Sequence, residues 1–272
     1  MRAALLLAAP AYLWLLATVL LPLAVMLYFS LLTVAPINGR AADLTLANYA
    51  QFFARDFYRT LTWRSLTLGA ETTGACFLVG FPTAWVLARL APGRTREALL
   101  VLVVLPFWSN ALVRVFSWTM VLRGNGLFSA VLPGDLLFTW TAIVIGLVHS
   151  YLPYMILTCY LSLAAIDPQL LEAARSLGAT RAQAMVRVVL PLATPGILAG
   201  SVLIFVPVVG SFMEPRILGG RSGAVLGTVI EDQFTAVFNW PLGAALSYTL
   251  LAIMLLIGAA LSPLLRGRLQ PA

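Results

Sequence analysis

The sequence contains no lysine, one histidine and two cysteines, and these shortages exclude several kinds of site. Without lysine, no segment can match the phosphate-binding pattern G-x-x-x-x-G-K-S/T, so ATP hydrolysis by a P-loop is excluded. A lone His149 leaves no room for a histidine-rich metal centre. Cys76 and Cys159 lie in apolar segments, where inert buried thiols are expected. We therefore expect no catalytic residues, no metal site and no cofactor bound by this chain.

Charged residues are also scarce, at 10% of the 272 residues, against about a quarter in a soluble protein. Hydrophobic residues make up 61% of the chain, more apolar surface than a soluble domain could bury. The net charge of +7 comes from arginines that stand singly between apolar runs and form no basic patch. The composition predicts an all-α membrane protein that does not bind nucleic acid.

Six apolar runs are long enough to cross a bilayer, which requires about 20 residues each. They are Tyr12–Leu32, Ser65–Ala88, Ala98–Leu122, Phe138–Leu161, Val188–Val209 and Leu242–Leu265. The apolar stretch that contains the first run is too long for the core of a cleavable signal peptide, so we expect it to be retained. The chain is thus predicted to be a single transmembrane domain over residues 1–272.

The placement of charges predicts the orientation of these spans. With the N-terminus inside, nine arginines fall in inner segments and seven in outer segments, whereas three acidic residues fall inside and six outside. The excess of positive charge on the inner side favours cytoplasmic N- and C-termini.

Two ionisable residues, Glu71 and Arg114, lie within predicted spans, where a charge costs on the order of 2.5–3.5 kcal/mol at mid-bilayer. Glu71 either reaches the outer interface or serves a function. Arg114 either lines a polar pathway or fixes helix packing by binding a carbonyl. Prolines interrupt the spans and favour kinked helices around a central cavity. They are Pro82, Pro106, Pro153, Pro195 and Pro207.

The segment between the fourth and fifth spans, Ser162–Arg187, is predicted to be structured. Asp167 can cap a helix that begins at Pro168, and Gly178 can end that helix in a left-handed conformation. Leu170, Ala174 and Leu177 share one face of this helix. Thr180 with Gln183 forms a capping box at the start of a second helix, and Pro191 marks the entry to the next span. Such a rigid loop either docks against a soluble partner or rests on lipid headgroups.

The loop sequence EAARSLGATRAQAMVRVVLP resembles the EAA loop of permease subunits in ATP-binding-cassette (ABC) importers. Six positions match at the family's spacing, namely Glu172, Ala173, Ala174, Gly178, Leu190 and Pro191. Met185 stands where phenylalanine is frequent in the family. The resemblance implies a type I importer permease fold in which this cytoplasmic coupling helix seats in an ATPase subunit. Glu172, Ala173, Ala174 and Gly178 would shape the coupling helix and Met185 would pack beneath it.

Further segments resemble the permeases of the spermidine/putrescine type. They are residues 44–53, 106–122, 123–132, 209–220 and 228–247. This likeness implies a polyamine or a related small amine as cargo. It also implies a second permease subunit, two ATP-binding subunits that hydrolyse ATP, and an extracytoplasmic solute-binding protein as partners in a bacterial inner membrane. Phe116 and the Ser109-Asn110 pair depart from residues common in the family, which leaves the solute open.

Candidate pathway residues are Arg114, Trp118 and Glu214. Glu214 follows the fifth span, where an acid could attract a cation or instead form a cap or an interface salt bridge. Trp118, like Trp108, could equally serve in packing or as an interfacial anchor.

Two other classes of function remain as alternatives. A stand-alone ion-coupled carrier would need paired acids within the spans, and Glu71 has no such partner. A membrane-embedded enzyme would need a clustered nucleophile or acid–base pair, for which His149-Ser150 is the sole hint and has no acid near it in sequence.

Overall fold

The computed structural model describes residues 2–36, 42–124, 126 and 135–269, with the backbone alone at residues 2–8, 11 and 261–269. Twelve α-helices lie in these residues. They are α1 (Arg2–Ser30), α2 (Ala47–Ala54), α3 (Asp56–Arg89), α4 (Gly93–Val104), α5 (Ala111–Leu122), α6 (Trp140–Ala164), α7 (Pro168–Ser176), α8 (Arg181–Ala184), α9 (Leu190–Val209), α10 (Met213–Gly219), α11 (Leu226–Thr235) and α12 (Trp240–Leu269). Residues 125 and 127–132 of the polyamine-type resemblance lie outside the described part of the chain.

Within the described residues, four helices are long and apolar enough to cross a membrane, and a bent helix pair makes a fifth candidate. The four correspond to the first, fourth, fifth and sixth predicted spans. The second predicted span lies inside the 34-residue helix α3, which is longer but less uniformly apolar. By length and composition, four or five of the six predicted spans are therefore found. The other one, the second predicted span, lies within α3.

The third predicted span, Ala98–Leu122, is not one continuous helix. Helix α4 ends at Val104, a 3₁₀ turn covers Leu105–Trp108, and α5 then leaves at an angle of 97°. Pro106 lacks the N–H that would continue the α-helical ladder. The Asn110 side chain accepts a hydrogen bond from Leu112 N at 2.8 Å and caps α5.

The chain divides into two compact units. One comprises residues 1–62 and 229–255, and the other comprises residues 63–228 and 256–272. In the first unit, the Asn48 amide donates to the carbonyl oxygens of Ser30 and Leu32 and so satisfies the end of α1. Also in this unit, Phe29 packs edge-to-face on Trp240 with ring centroids 6.0 Å apart.

The second unit is built on the packing of α6 against α9. Gly196 and Gly200 of α9, four residues apart, face Thr158, Ser162 and Met155 of α6. A methyl group at Gly196 would overlap the Thr158 carbonyl oxygen and the Ser162 hydroxyl. Small residues at this spacing let two membrane helices approach closely, which maximises their van der Waals contact.

An arginine ties the end of α3 to the end of α6. The Arg89 guanidinium donates to the carbonyl oxygens of Leu163 at 3.1 Å and Ile166 at 2.6 Å, and it lies over the Trp85 ring at 5.9 Å. The last carbonyls of a helix have no partner within the helix, and a cation suits the negative end of its dipole. Arg89 therefore fixes the point where α6 passes into the following loop.

A valine at Gly196 should push α6 and α9 apart. We expect Gly196→Val to destabilise the fold by about 1–3 kcal/mol, because the added atoms meet α6 backbone that cannot move aside alone. The measurement is the thermal unfolding midpoint of the detergent-solubilised protein. Gly74→Val is the matched control, because a Cβ at Gly74 meets no atom within 4 Å. Equal shifts for the two variants would contradict the close packing.

Removal of the Arg89 bonds should loosen the loop that follows α6. We expect Arg89→Gln to cost about 2 kcal/mol locally, because it removes charge-assisted hydrogen bonds to two helix-end carbonyls. Hydrogen exchange of residues 163–185 should then speed up by at least tenfold. Arg94→Gln changes the charge equally at an exposed position of α4 and should leave that exchange unchanged.

Candidate functional site

The loop between α6 and α9 contains the predicted pair of capped helices. Asp167 accepts a hydrogen bond from Gln169 N at 2.9 Å, with Pro168 as the first residue of α7. Gly178 follows α7 with φ of +84°, a left-handed conformation that suits glycine. Thr180 and Gln183 form the reciprocal capping box at α8. The helix caps and the left-handed glycine predicted for this loop are confirmed.

The two faces of α7 have different surroundings. Leu171 packs against the apolar core of the second unit. Leu170 and Leu177, seven residues apart and so on one face, are 47% and 89% exposed. Ala173 is exposed on the same side, Ala174 is half-buried, and Glu172 is exposed on another side of the helix. The loop therefore presents apolar side chains and an acid outward while its opposite face is anchored.

The second loop helix, α8, continues into α9 without a break in the helical backbone. Residues Met185–Val189, between α8 and α9, form one turn of π-helix. Met185 is half-buried and packs on the same core as Leu171. The sequence predicted a second short helix from Thr180, with Pro191 marking the entry to the next span. The chain is therefore helical without interruption from α8 through the π turn into α9.

A polar cavity of about 480 Å³ lies where α5, α6 and the end of α9 meet. The middle of α6 supplies Tyr151 and Tyr154, and α5 and the turn before it supply Arg114 and Phe107. The C-terminal end of α9 and the residues after it, through Glu214 of α10, close the opposite wall. The loop lies at the other end of α9, a helix of 20 residues or about 30 Å.

The cavity brings together two of the three candidate pathway residues. Arg114 donates to the Pro106 carbonyl oxygen at 3.1 Å, across the break between α4 and α5. Glu214 is buried on the far wall, in a short helix that follows the span α9. Burial raises the pKa of Glu214, and a hydrogen bond to its own backbone and the positive charge of Arg114 offset part of that increase.

Trp118, the third candidate, does not line this cavity. Its ring packs edge-on against His149 at 5.5 Å, and it adjoins a small apolar cluster that includes Val115 and Leu122.

Glu71 accepts a hydrogen bond from the Trp140 indole nitrogen at 2.6 Å, and Arg64 lies over that same ring. Ser150 donates to the Gly146 carbonyl oxygen within α6.

Sequence reasoning missed the aromatic lining of the cavity. Phe107, Tyr151 and Tyr154 line the cavity, with Phe107 and Tyr154 in ring contact at 4.7 Å. The one signal in the sequence for this lining was Pro153, which lies between Tyr151 and Tyr154. A proline inside a span predicted a kinked helix at a central cavity, and its neighbouring tyrosines were therefore candidates for the lining. Among the described residues, no three His, Cys, Asp or Glu side chains cluster closely enough to hold a metal ion.

Comparison with known proteins gives consistent results. Residues 80–272 match the family described as "Binding-protein-dependent transport system inner membrane component". The chain is 38% identical over 252 residues to the spermidine/putrescine transport system permease protein PotB of Haemophilus influenzae, covering 90% of this chain and 87% of that one. It is 36% identical over 268 residues to PotB of Escherichia coli K12, covering 94% and 97%.

The fold agrees with a solved structure. A bacterial ABC transporter involved in the import of the acidic polysaccharide alginate contains a chain that matches with a TM-score of 0.75 at 19% identity, over 99% of this chain and 97% of that one. At that identity the likeness concerns the fold, which is that of a type I importer permease. The chain thus belongs to the binding-protein-dependent transport system inner membrane components and is a membrane subunit of an ABC importer.

Proposed function

We propose that this subunit forms half of a translocation pathway for a polyamine and couples its opening to ATP hydrolysis by a separate ATPase. The loop geometry carries the coupling part of the proposal. An importer subunit without a phosphate-binding loop needs a contact through which a partner can move it. Leu170 and Leu177 form an exposed apolar face of this helix, and Glu172 is an exposed acid on another side. A capped helix that exposes both kinds of side chain suits a groove in a soluble domain.

The proposed coupling residues have separable roles. Glu172 and Ala173 would contact the ATPase, and Ala174 with Gly178 would set the shape of the loop. Met185 would join α8 to the core through the π turn, so that movement of the loop shifts α9 and the cavity at its far end. ATP can drive this shift only if the ATPase binds it with different affinity in the two states of the importer.

The proposed assembly follows the family description. A second permease chain would complete the pathway, two ATP-binding subunits would dock on the loops, and a solute-binding protein would deliver cargo from outside. The loop between α6 and α9 would then be cytoplasmic, as would both termini, in agreement with the excess of arginine over acids on that side.

Polyamine cargo is supported by the names of the two PotB relatives and by the chemistry of the cavity. Glu214 can pair with an ammonium group, and Phe107, Tyr151 and Tyr154 offer ring faces that attract cations. Arg114 would repel a cation in transit, which favours brief rather than tight occupancy of the cavity.

Charge reversal at Glu172 tests coupling. We expect Glu172→Lys to reduce uptake at least tenfold and to release the ATPase subunits during purification, while the protein remains in the membrane. Uptake into proteoliposomes and co-purification are the measurements. Glu97→Lys, an equal change at an exposed position of α4, is the control. Normal uptake with Glu172→Lys would overturn the coupling role.

Cargo identity is tested with the reconstituted complex. We expect spermidine or putrescine, presented by the binding protein, to stimulate ATPase activity several-fold, whereas an acidic solute should not. A chain that purifies alone, associates with no ATPase and still transports polyamine would instead favour the stand-alone carrier.

Neutralisation of Glu214 tests the cavity. We expect Glu214→Gln to reduce uptake about tenfold, the effect of losing about 1.4 kcal/mol of attraction for the ammonium group. Because burial raises the pKa of Glu214, its charge is lost at a higher pH than that of an exposed glutamate as the medium is acidified. Wild-type uptake should therefore fall on acidification, and the variant should show a flatter pH profile. Glu97→Gln should behave like wild type.

A further inference from the structure

A second cavity, of about 390 Å³, lies between the end of α3 and the loop helices α7 and α8. Its apolar lining comes from α3, from α7 and from the π turn before α9. The side chains are Trp85, Leu171, Met185 and Val189. Two arginines, Arg175 of α7 and Arg181 of α8, also line it. This combination of an apolar floor and two guanidinium groups is absent from the polar cavity described above.

The two arginines lack an anionic partner in the described part of the chain. Neither guanidinium forms a hydrogen bond or an ion pair with the described residues, and both side chains are exposed. Arg89, close by at the end of α3, is by contrast bonded to two carbonyl oxygens and lies over the Trp85 ring. Two like charges at one cavity favour an anion between them, and planar guanidinium groups bind phosphate oxygens well.

The cavity lies at the boundary of the membrane-spanning helices. Trp85 and Arg89 are in the last turn of α3, and Val189 immediately precedes α9. Tryptophan is enriched at the level of lipid headgroups. Basic pockets between membrane helices on the cytoplasmic side bind anionic headgroups. The cytoplasmic placement of this loop rests on the function proposed above.

We propose that this cavity binds the phosphate of an anionic phospholipid from the inner leaflet. The headgroup phosphate lies between Arg175 and Arg181, and the start of an acyl chain covers Trp85 and Leu90. A free phosphate ion would leave that apolar floor unused. Leu171 and Arg175, four residues apart on α7, face the cavity, whereas Leu170 and Leu177 lie on another face, which leaves those two leucines for the ATPase.

The bound lipid would hold the loop at a fixed angle to α3. Arg175 and Arg181 flank the turn between α7 and α8, so a phosphate that bridges them restrains the rotation of one helix against the other. Movement of the ATPase would then displace α9 and would not be absorbed by a change in the angle between α7 and α8.

Native mass spectrometry of the purified full-length chain tests the site. The probes are phosphatidylglycerol and phosphatidylcholine with the same acyl chains. We expect wild type to retain phosphatidylglycerol and Arg175→Gln/Arg181→Gln to retain it about 25-fold less, at about fivefold for each arginine. Arg94→Gln/Arg187→Gln removes the same charge from exposed positions outside the cavity and should stay within about twofold of wild type.

Folding and ligand source have their own controls. Arg175→Lys/Arg181→Lys keeps the charge and should keep most of the binding, which separates loss of charge from loss of fold. An excess of inorganic phosphate should leave the bound phosphatidylglycerol in place. Displacement by phosphate would overturn the lipid assignment in favour of a soluble anion.

Two further outcomes would overturn the proposal. Equal loss of lipid in both glutamine pairs would indicate general charge attraction and no built site. Unchanged lipid retention together with loss of ATPase co-purification in Arg175→Gln/Arg181→Gln would assign the arginines to the ATPase contact. A third outcome separates the two proposals. If wild type retains phosphatidylglycerol selectively but binds no ATPase, the lipid site is supported and only the coupling role of the loop is contradicted.

Discussion

The close approach of α6 and α9 places the structured loop and the polar cavity on one packed pair of helices. Gly196 and Gly200 permit that approach because any larger side chain would meet α6 backbone or side chains. The loop follows the end of α6 and enters α9 through the π turn, and the cavity uses the middle of α6 and the far end of α9. A rigid pair of helices can carry a displacement from one end to the other, which a flexible pair could not.

Helix ends control where the chain turns in this protein, because unpaired backbone groups are costly where water is excluded. Asn48 completes the end of α1, Arg89 binds the Leu163 carbonyl oxygen at the end of α6, and Asn110 starts α5 after the break at Pro106. Asp167 and Thr180 do the same for the loop helices. The proposed coupling surface is therefore held by the same kind of bond that shapes the membrane-spanning part.

Charged residues are few in this chain, and each of the two described cavities contains two of them. In the polar cavity, Arg114 and Glu214 stand among aromatic rings, a setting that suits the transient passage of an amine under the function we propose. At the loop, Arg175 and Arg181 stand over an apolar floor, which suits a lipid phosphate. The two cavities differ in chemistry because one contains an acid and the other does not.

The sequence alone determined the features that depend on neighbours along the chain. Apolar runs marked the spans, and residue types at fixed offsets from Asp167, Gly178 and Thr180 predicted the loop, because caps act within one helical turn. Tertiary structure decided the 97° break in the third span and the membership of the cavity. It brought Tyr154 to Phe107 and left Trp118 against His149. Those contacts join residues about thirty or more positions apart, and their geometry follows from how α5 and α6 pack, which no local pattern records.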